Sequence, residues 1–353
     1  MLNSMATKRI DYIDAIKGFS VLWVVLYHFD LTGVAINAPL RLPLFFLVSG
    51  LFFRQRSCFK DFFVKKVNTL LVPFVFFWLF GITLQLLVQC VRYLFEGLFE
   101  FSILDKFVGL AKLFTVIPIN ALEPNPLGVG GIWFLIGLFC LQMIYYGLLR
   151  LSSNKFFLLS VALGAYYLSF YLLDNVCGFG TFLYVPYSLR FLIFYVMGHQ
   201  FYGMFVQHIQ KLREKVIYLS GLTIAFVAVT VLKYSLIINI NILGGGKNTF
   251  LLVETLLFAG IVTIFFSWTY KWKLMQPFVF FGKNSIVIFG AHLAMFPFVQ
   301  IPVAKVLHMV PNSWAAVLCF EFPLIIVVSY FLTLLLVKYF PMYIGKKELW
   351  RTA

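Results

Sequence analysis

The stretch Ile10-Asp-Tyr-Ile-Asp14-Ala-Ile-Lys17-Gly18-Phe-Ser20-Val-Leu-Trp-Val24-Val-Leu-Tyr-His28-Phe-Asp30 decides the reading, because it sets a lysine and a histidine on one apolar segment long enough to span a bilayer. At about 100° and about 1.5 Å per residue, Lys17 and His28 fall within roughly 20° of one another and about 16 Å apart along a helix axis. Ser20, Val24 and His28 continue the same stripe. An ionisable group at that depth is costly and faces a protein interior or a water-filled cavity, which makes it a functional candidate. The plainer alternative is that Lys17 reaches back to the interface and His28 hydrogen-bonds a neighbouring helix.

The rest of the chain has the same character. Of 353 residues, 62% are hydrophobic and 12% charged, and 44 are phenylalanine; the mean hydropathy is +0.95. Apolar runs near 14–34, 39–54, 68–91, 131–150, 155–174, 187–206, 215–237, 250–270, 284–302 and 313–339 alternate with short charged connections. The expectation is an all-α polytopic membrane protein of about ten transmembrane helices, forming a single domain over 1–353. The second run is short for a full crossing. The first, which carries a histidine and lacks a cleavage site, reads as a retained span rather than a leader.

The net charge of +15 does not signal nucleic acid, because the basic residues lie in small clusters between spans rather than in one patch. They report orientation instead: with both termini cytoplasmic, 20 of the 28 Lys and Arg fall on the inner side. The five scattered cysteines suggest neither a metal site nor a disulfide framework. After the third span, Phe101 to Phe114 has apolar residues at helical spacing, as expected of a helix lying in the outer interface.

Chemistry-bearing residues are few. Asp14 sits one turn before Lys17 and can pair with it. Arg54, Arg56, Lys60, Lys65 and Lys66 crowd one inner connection, either as topology signals or as an anion site, since guanidinium forks suit phosphates. Trp133 opens the fourth span behind Gly128-Val-Gly130-Gly131. In the ninth, Ser285 and His292 share a face; His292 lies nine residues from Lys283, and His28 eleven from Lys17, so two histidines at similar depth can line one cavity. Glu254 or Glu321 can supply a carboxylate partner to a histidine. His199, His208 and His308 have no ligand spacing and are taken as ordinary.

With these residues in view, the chain resembles the acyltransferase-3 family of bacterial inner-membrane O-acyltransferases. Asp14-Ala-Ile-Lys17-Gly18 with His28 is similar to a first-helix pattern of a basic residue, ten residues and a histidine, with lysine in place of the usual arginine. Phe45-Phe-Leu-Val-Ser49-Gly50 resembles the second-helix Phe-Phe-x-x-Ser-Gly segment, Trp133-Phe-Leu135 a Trp-Phe/Tyr-Leu segment, and Gly282-Lys-Asn-Ser285 through His292 a late Gly-x-x-Ser…His helix. A pair of arginines three apart after the second span is missing; Arg54 and Arg56 are two apart.

The resemblance implies transfer of an acyl group, acetyl above all, from cytoplasmic acyl-CoA (acetyl-CoA as donor) to a hydroxyl of a glycan or lipid-linked sugar, in the bacterial inner membrane and without a metal. On that expectation His28, with Lys17 and Asp14, forms the catalytic set. Arg54, Arg56, Lys65 and Lys66 meet the donor, and Trp133, Ser285, His292 and Glu321 line the substrate cavity. His28 acts as a general base or carries the acyl group itself. Partners are membrane lipids and the acceptor, with no nucleic acid. A transporter or flippase, or a scaffold using the polar residues as interhelical glue, is the competing class.

Overall fold

A computed structural model describes residues 11–29, 41–55, 58–119, 126–129, 131–211, 215–240 and 244–350. Arg56 and Asp30 lie outside them. Among the described residues there is no strand, and the helices run α1 (Asp11–Tyr27), α2 (Leu42–Leu51), α3 (Phe59–Lys66), α4 (Val72–Glu96), α5 (Ile103–Lys112), α6 (Trp133–Leu151), α7 (Lys155–Asn175), α8 (Thr181–Ser188), α9 (Leu192–Met197), α10 (Gly203–Lys211), α11 (Lys215–Ile240), α12 (Gly244–Thr269), α13 (Gln276–Lys283), α14 (Ser285–Lys305), α15 (Trp314–Ala316) and α16 (Phe322–Tyr339). Eight continuous helical stretches are long and apolar enough to cross a membrane. The shorter α1 and α2 complete a set of about ten, as the hydropathy pattern leads one to expect. The protein is an all-α integral membrane protein.

Several spans are composite, for local reasons. α3 enters α4 through a π turn at Val67–Leu71, and α15 enters α16 through another at Val317–Glu321. Each is followed by a proline two residues on, Pro73 and Pro323. A proline has no N–H to give the carbonyl four residues back, so the helix widens just before it instead of breaking. A third π turn, Gly198–Tyr202, joins α9 to α10.

Glycines set the closest crossings. A Cβ on Gly18 would overlap the carbonyl of Phe278, and one on Gly282 the carbonyl of Asp14, so α1 and α13 cross at backbone contact and bury Asp14 between them. Gly50 and Gly198 play the same part where α2 crosses the α9–α10 junction. Small residues admit this approach where lipid offers no hydrophobic drive between helices. At the same end of the bundle Lys283 pairs with Asp11 at 2.7 Å and Lys65 with Glu348 at 2.8 Å. The side chain of Asn68 holds the C-terminal segment through the backbone of Leu349 and Trp350.

At the opposite end, α5 is the helix expected from the 101–114 pattern. Ser102 caps it, accepting from the Asp105 N–H at 3.2 Å. α11 is the most peripheral span: none of its apolar stretch is buried. An ion pair between Lys233 and Glu254 at 2.8 Å ties it to α12.

Candidate active site

The two intramembrane histidines meet. His28 sits in the turn that ends α1, its backbone N–H shared between the carbonyls of Val24 and Val25. The next residue, Phe29, is fully buried and stacks on Phe296 of α14 at 4.5 Å between ring centroids, which docks the end of α1 on α14. That contact brings the imidazoles of His28 and His292 to 5.3 Å.

The His292 tautomer follows from its bond. Nδ1 lies 2.8 Å from the carbonyl oxygen of Ile288, which can only accept, so Nδ1 carries the proton. Nε2 of the neutral ring is then a bare lone pair, and it is buried with no hydrogen-bond partner. A basic nitrogen held in one orientation, with no donor bonded to it, is suited to proton transfer.

Both rings line a cavity of about 580 Å³. Its walls come from α1, the start of α2, the start of α6, the α8–α9 turn and α14. Phe134 of α6 stacks on Phe289 of α14 at 4.3 Å. Trp133 beside it is boxed by Tyr187 at 4.9 Å and Phe179 at 5.2 Å, which fixes the indole as a wall. Gly131 adopts φ +80, and a Cβ there would stand 3.0 Å from Cε1 of His292. The loop before α6 therefore presses its backbone against the histidine, which explains a glycine at that position.

Two arginines also reach the cavity. The Arg41 guanidinium lies 3.6 Å from the centre of the Tyr27 ring. Its carbonyl accepts a 2.6 Å bond from the hydroxyl of Ser20, so the polar stripe of α1 serves to fix the start of α2. Arg190 stacks between Tyr187 at 4.3 Å and Phe170 at 4.4 Å. A second, more polar cleft of about 650 Å³ lies between α4, α5 and α14 and shares Leu293 with the histidine cavity.

Of the residues singled out in the sequence, His28, His292 and Trp133 come together here. The others that lie among the described residues stand elsewhere. The Lys17 ammonium rests 4.1 Å over the Phe52 ring, toward the basic end. Ser285 begins α14 away from the cavity lining. Glu321 is fully buried in a π turn, where it accepts from the backbone N–H of Asn312 at 3.2 Å, and Glu254 is committed to Lys233. Arg54 is exposed, Lys65 pairs with Glu348, and the Lys66 ammonium lies 5.3 Å over Phe62.

Two features escaped the sequence reading. Arg190 stood at the edge of a span drawn from 187; Phe182, Leu183 and Tyr184 before it are left-handed, and the turn that follows sets Arg190 on the cavity wall. A charge beside an apolar run is itself the signal. His199 was taken as ordinary; it sits in the Gly198–Tyr202 π turn with Nδ1 2.6 Å from the Tyr145 hydroxyl, and Gln200 donates to that hydroxyl at 3.0 Å. No group of three or more His, Cys, Asp or Glu among the described residues could hold a metal ion.

Comparison with known proteins adds one finding. No curated protein and no solved structure matches. A family model described as an acyltransferase domain matches residues 10–338, nearly the whole chain, and takes in α1, the cavity and α14. The chain belongs to the acyltransferase-3 family of membrane acyltransferases.

Proposed function

We propose that this membrane acyltransferase moves an acyl group, acetyl above all, from cytoplasmic acyl-CoA to a hydroxyl of a glycan or lipid-linked sugar in the bacterial inner membrane. The observation that carries the reading is the His28–His292 pair, 5.3 Å apart in a cavity within the bundle, with an unpartnered nitrogen on His292.

The reaction needs one proton moved twice. The acceptor hydroxyl gives its proton to the His28 imidazole while its oxygen bonds to the thioester carbonyl carbon. The C–S bond then breaks with its electron pair on sulfur, and the imidazolium returns the proton to the thiolate. On this reading His292 Nε2, the ring nitrogen without a partner, accepts a hydrogen bond that orients a hydroxyl or the His28 ring. Its Nδ1 bond to Ile288 prevents the ring from turning the donor nitrogen inward.

The basic end supports a cytoplasmic donor by charge. Arg54, Lys65 and Lys66 gather there, and the positive-inside tendency puts that end in the cytoplasm. Nucleotide phosphates would bind among these cations, displacing Glu348 from Lys65. The thioester would enter along α1, past Lys17. Lys17 and His28 mark the two ends of that path, about 16 Å apart at the helical rise.

Protein reconstituted in nanodiscs with radiolabelled acetyl-CoA and a bacterial glycan extract tests the reading. The wild type should release free coenzyme A and label the glycan, and His28→Ala should lose about 100-fold or more of that rate, the scale of a general base. Flux of a glycan across vesicles without any acyl-CoA turnover would establish a transporter instead. Unchanged transfer by His28→Ala would remove the histidine from the chemistry.

A further inference from the structure

The histidine cavity contains more positive charge than an acyl transfer between neutral groups requires. Arg190 lies in the α8–α9 turn and lines the cavity, and Arg41 precedes α2 against Tyr27. A guanidinium does not give up its proton in a protein, so both are cations on the cavity wall. Such a charge is retained where something uses it.

Among the described residues that line the cavity there is no acidic side chain. Asp174 attracts Arg190 from α7 without lining the cavity. Phe170 and Tyr187 pack against the guanidinium, Tyr187 also hydrogen-bonds it through its hydroxyl, and the buried Nε has no hydrogen-bond partner. The Arg190 fork is therefore oriented by its aromatic neighbours and keeps one unbonded nitrogen. Pre-oriented guanidinium edges are suited to a carboxylate or phosphate, which can take two parallel bonds from one fork.

We propose that the cavity takes an acceptor bearing its own anionic group, a carboxylate or a phosphate, near the hydroxyl to be acylated, and that Arg190 and Arg41 are the residues that select it. The identity of that hydroxyl as an acylation site rests on the function proposed above; recognition of the anion does not. The chemistry corresponds to a uronic acid unit or to a sugar phosphate, including one linked to lipid.

Saturation-transfer NMR on the nanodisc protein, without any acyl donor, tests anion recognition alone. The probes are methyl β-D-glucoside, methyl β-D-glucuronide and glucose 1-phosphate. One charge-assisted bond is worth enough to expect at least one anionic sugar to bind about tenfold more tightly than the neutral glucoside. The preferred probe assigns carboxylate or phosphate. Arg190→Gln and Arg41→Gln should each weaken anion binding several-fold more than glucoside binding, while Arg190→Lys should retain more of the phosphate preference than of the carboxylate preference.

Equal binding of all three sugars by the wild type, or no binding of either anionic sugar, overturns the proposal whatever the variants do. Loss of glucoside and anion binding together in Arg190→Gln, with unfolding temperature unchanged, also overturns it and makes Arg190 a wall of the cavity. Anion preference in a protein with no acyl-CoA turnover would leave this inference standing and end the acyl-transfer reading.

Discussion

Gly131→Ala separates geometry at His292 from stability of the fold. The backbone at Gly131 has φ +80, and forcing an L-residue into the left-handed region costs about 1–2 kcal/mol. The added Cβ would also meet Cε1 of His292 at 3.0 Å, the carbonyl oxygen of Phe289 at 3.2 Å and Cδ1 of Leu293 at 3.4 Å. Ordinary carbon contacts begin a few tenths of an ångström farther out, so the imidazole must retreat by that amount. A full 1 Å misplacement costs about 100-fold in rate, so a shift of a few tenths corresponds to a loss of roughly 3- to 10-fold.

Gly128→Ala is the matched control. Gly128 has φ +63, so the backbone penalty is alike, but its Cβ would meet the flexible end of Lys106, which can move aside. Both variants should lower the unfolding temperature by similar amounts in nanodiscs. Only Gly131→Ala should lower the rate of acyl transfer from acetyl-CoA at saturating donor. Equal loss of activity in the two variants, or full activity in Gly131→Ala, would refute the idea that the loop before α6 sets the His292 ring.

Other outcomes can be stated more briefly. Lys17→Ala should lower activity while leaving the protein in the membrane, because Lys17 and His28 share a face of α1; wild-type glycan labelling by the variant would count against that role. Lys233→Ala leaves the fully buried Glu254 carboxyl without its ion-pair partner and should cost about 3–5 kcal/mol at the α11–α12 contact, read as a lower unfolding temperature; the double replacement Lys233→Met with Glu254→Leu should recover most of it. Asn68→Ala removes three hydrogen bonds to the C-terminal segment, at 2.7, 2.9 and 2.9 Å, worth about 2–4 kcal/mol together, and should make Lys346 and Lys347 sites of rapid trypsin cleavage. If the cleavage rate is unchanged, the segment is held by other contacts.

The amino-acid sequence by itself determined what hydropathy and helical spacing can carry: an all-α membrane protein of about ten spans, a short helix within 101–114, two histidines that can share a cavity, and the family. These are properties of single helices, fixed by which residues tolerate lipid and by the regular turn of the chain. Which polar groups share a cavity depended on tertiary packing. Glu321 and Trp133 both stood near the ends of apolar runs, yet one is buried on a backbone N–H in a π turn and the other walls the histidine cavity. Arg190 stood at the edge of an apolar run, and only its packing against Phe170 and Tyr187 on the cavity wall marks it out. The rotation of each helix is set by backbone crossings at Gly18, Gly50, Gly198 and Gly282 and by stacked rings such as Phe29 on Phe296. Those contacts join residues far apart in the chain, and no pattern within one span encodes them.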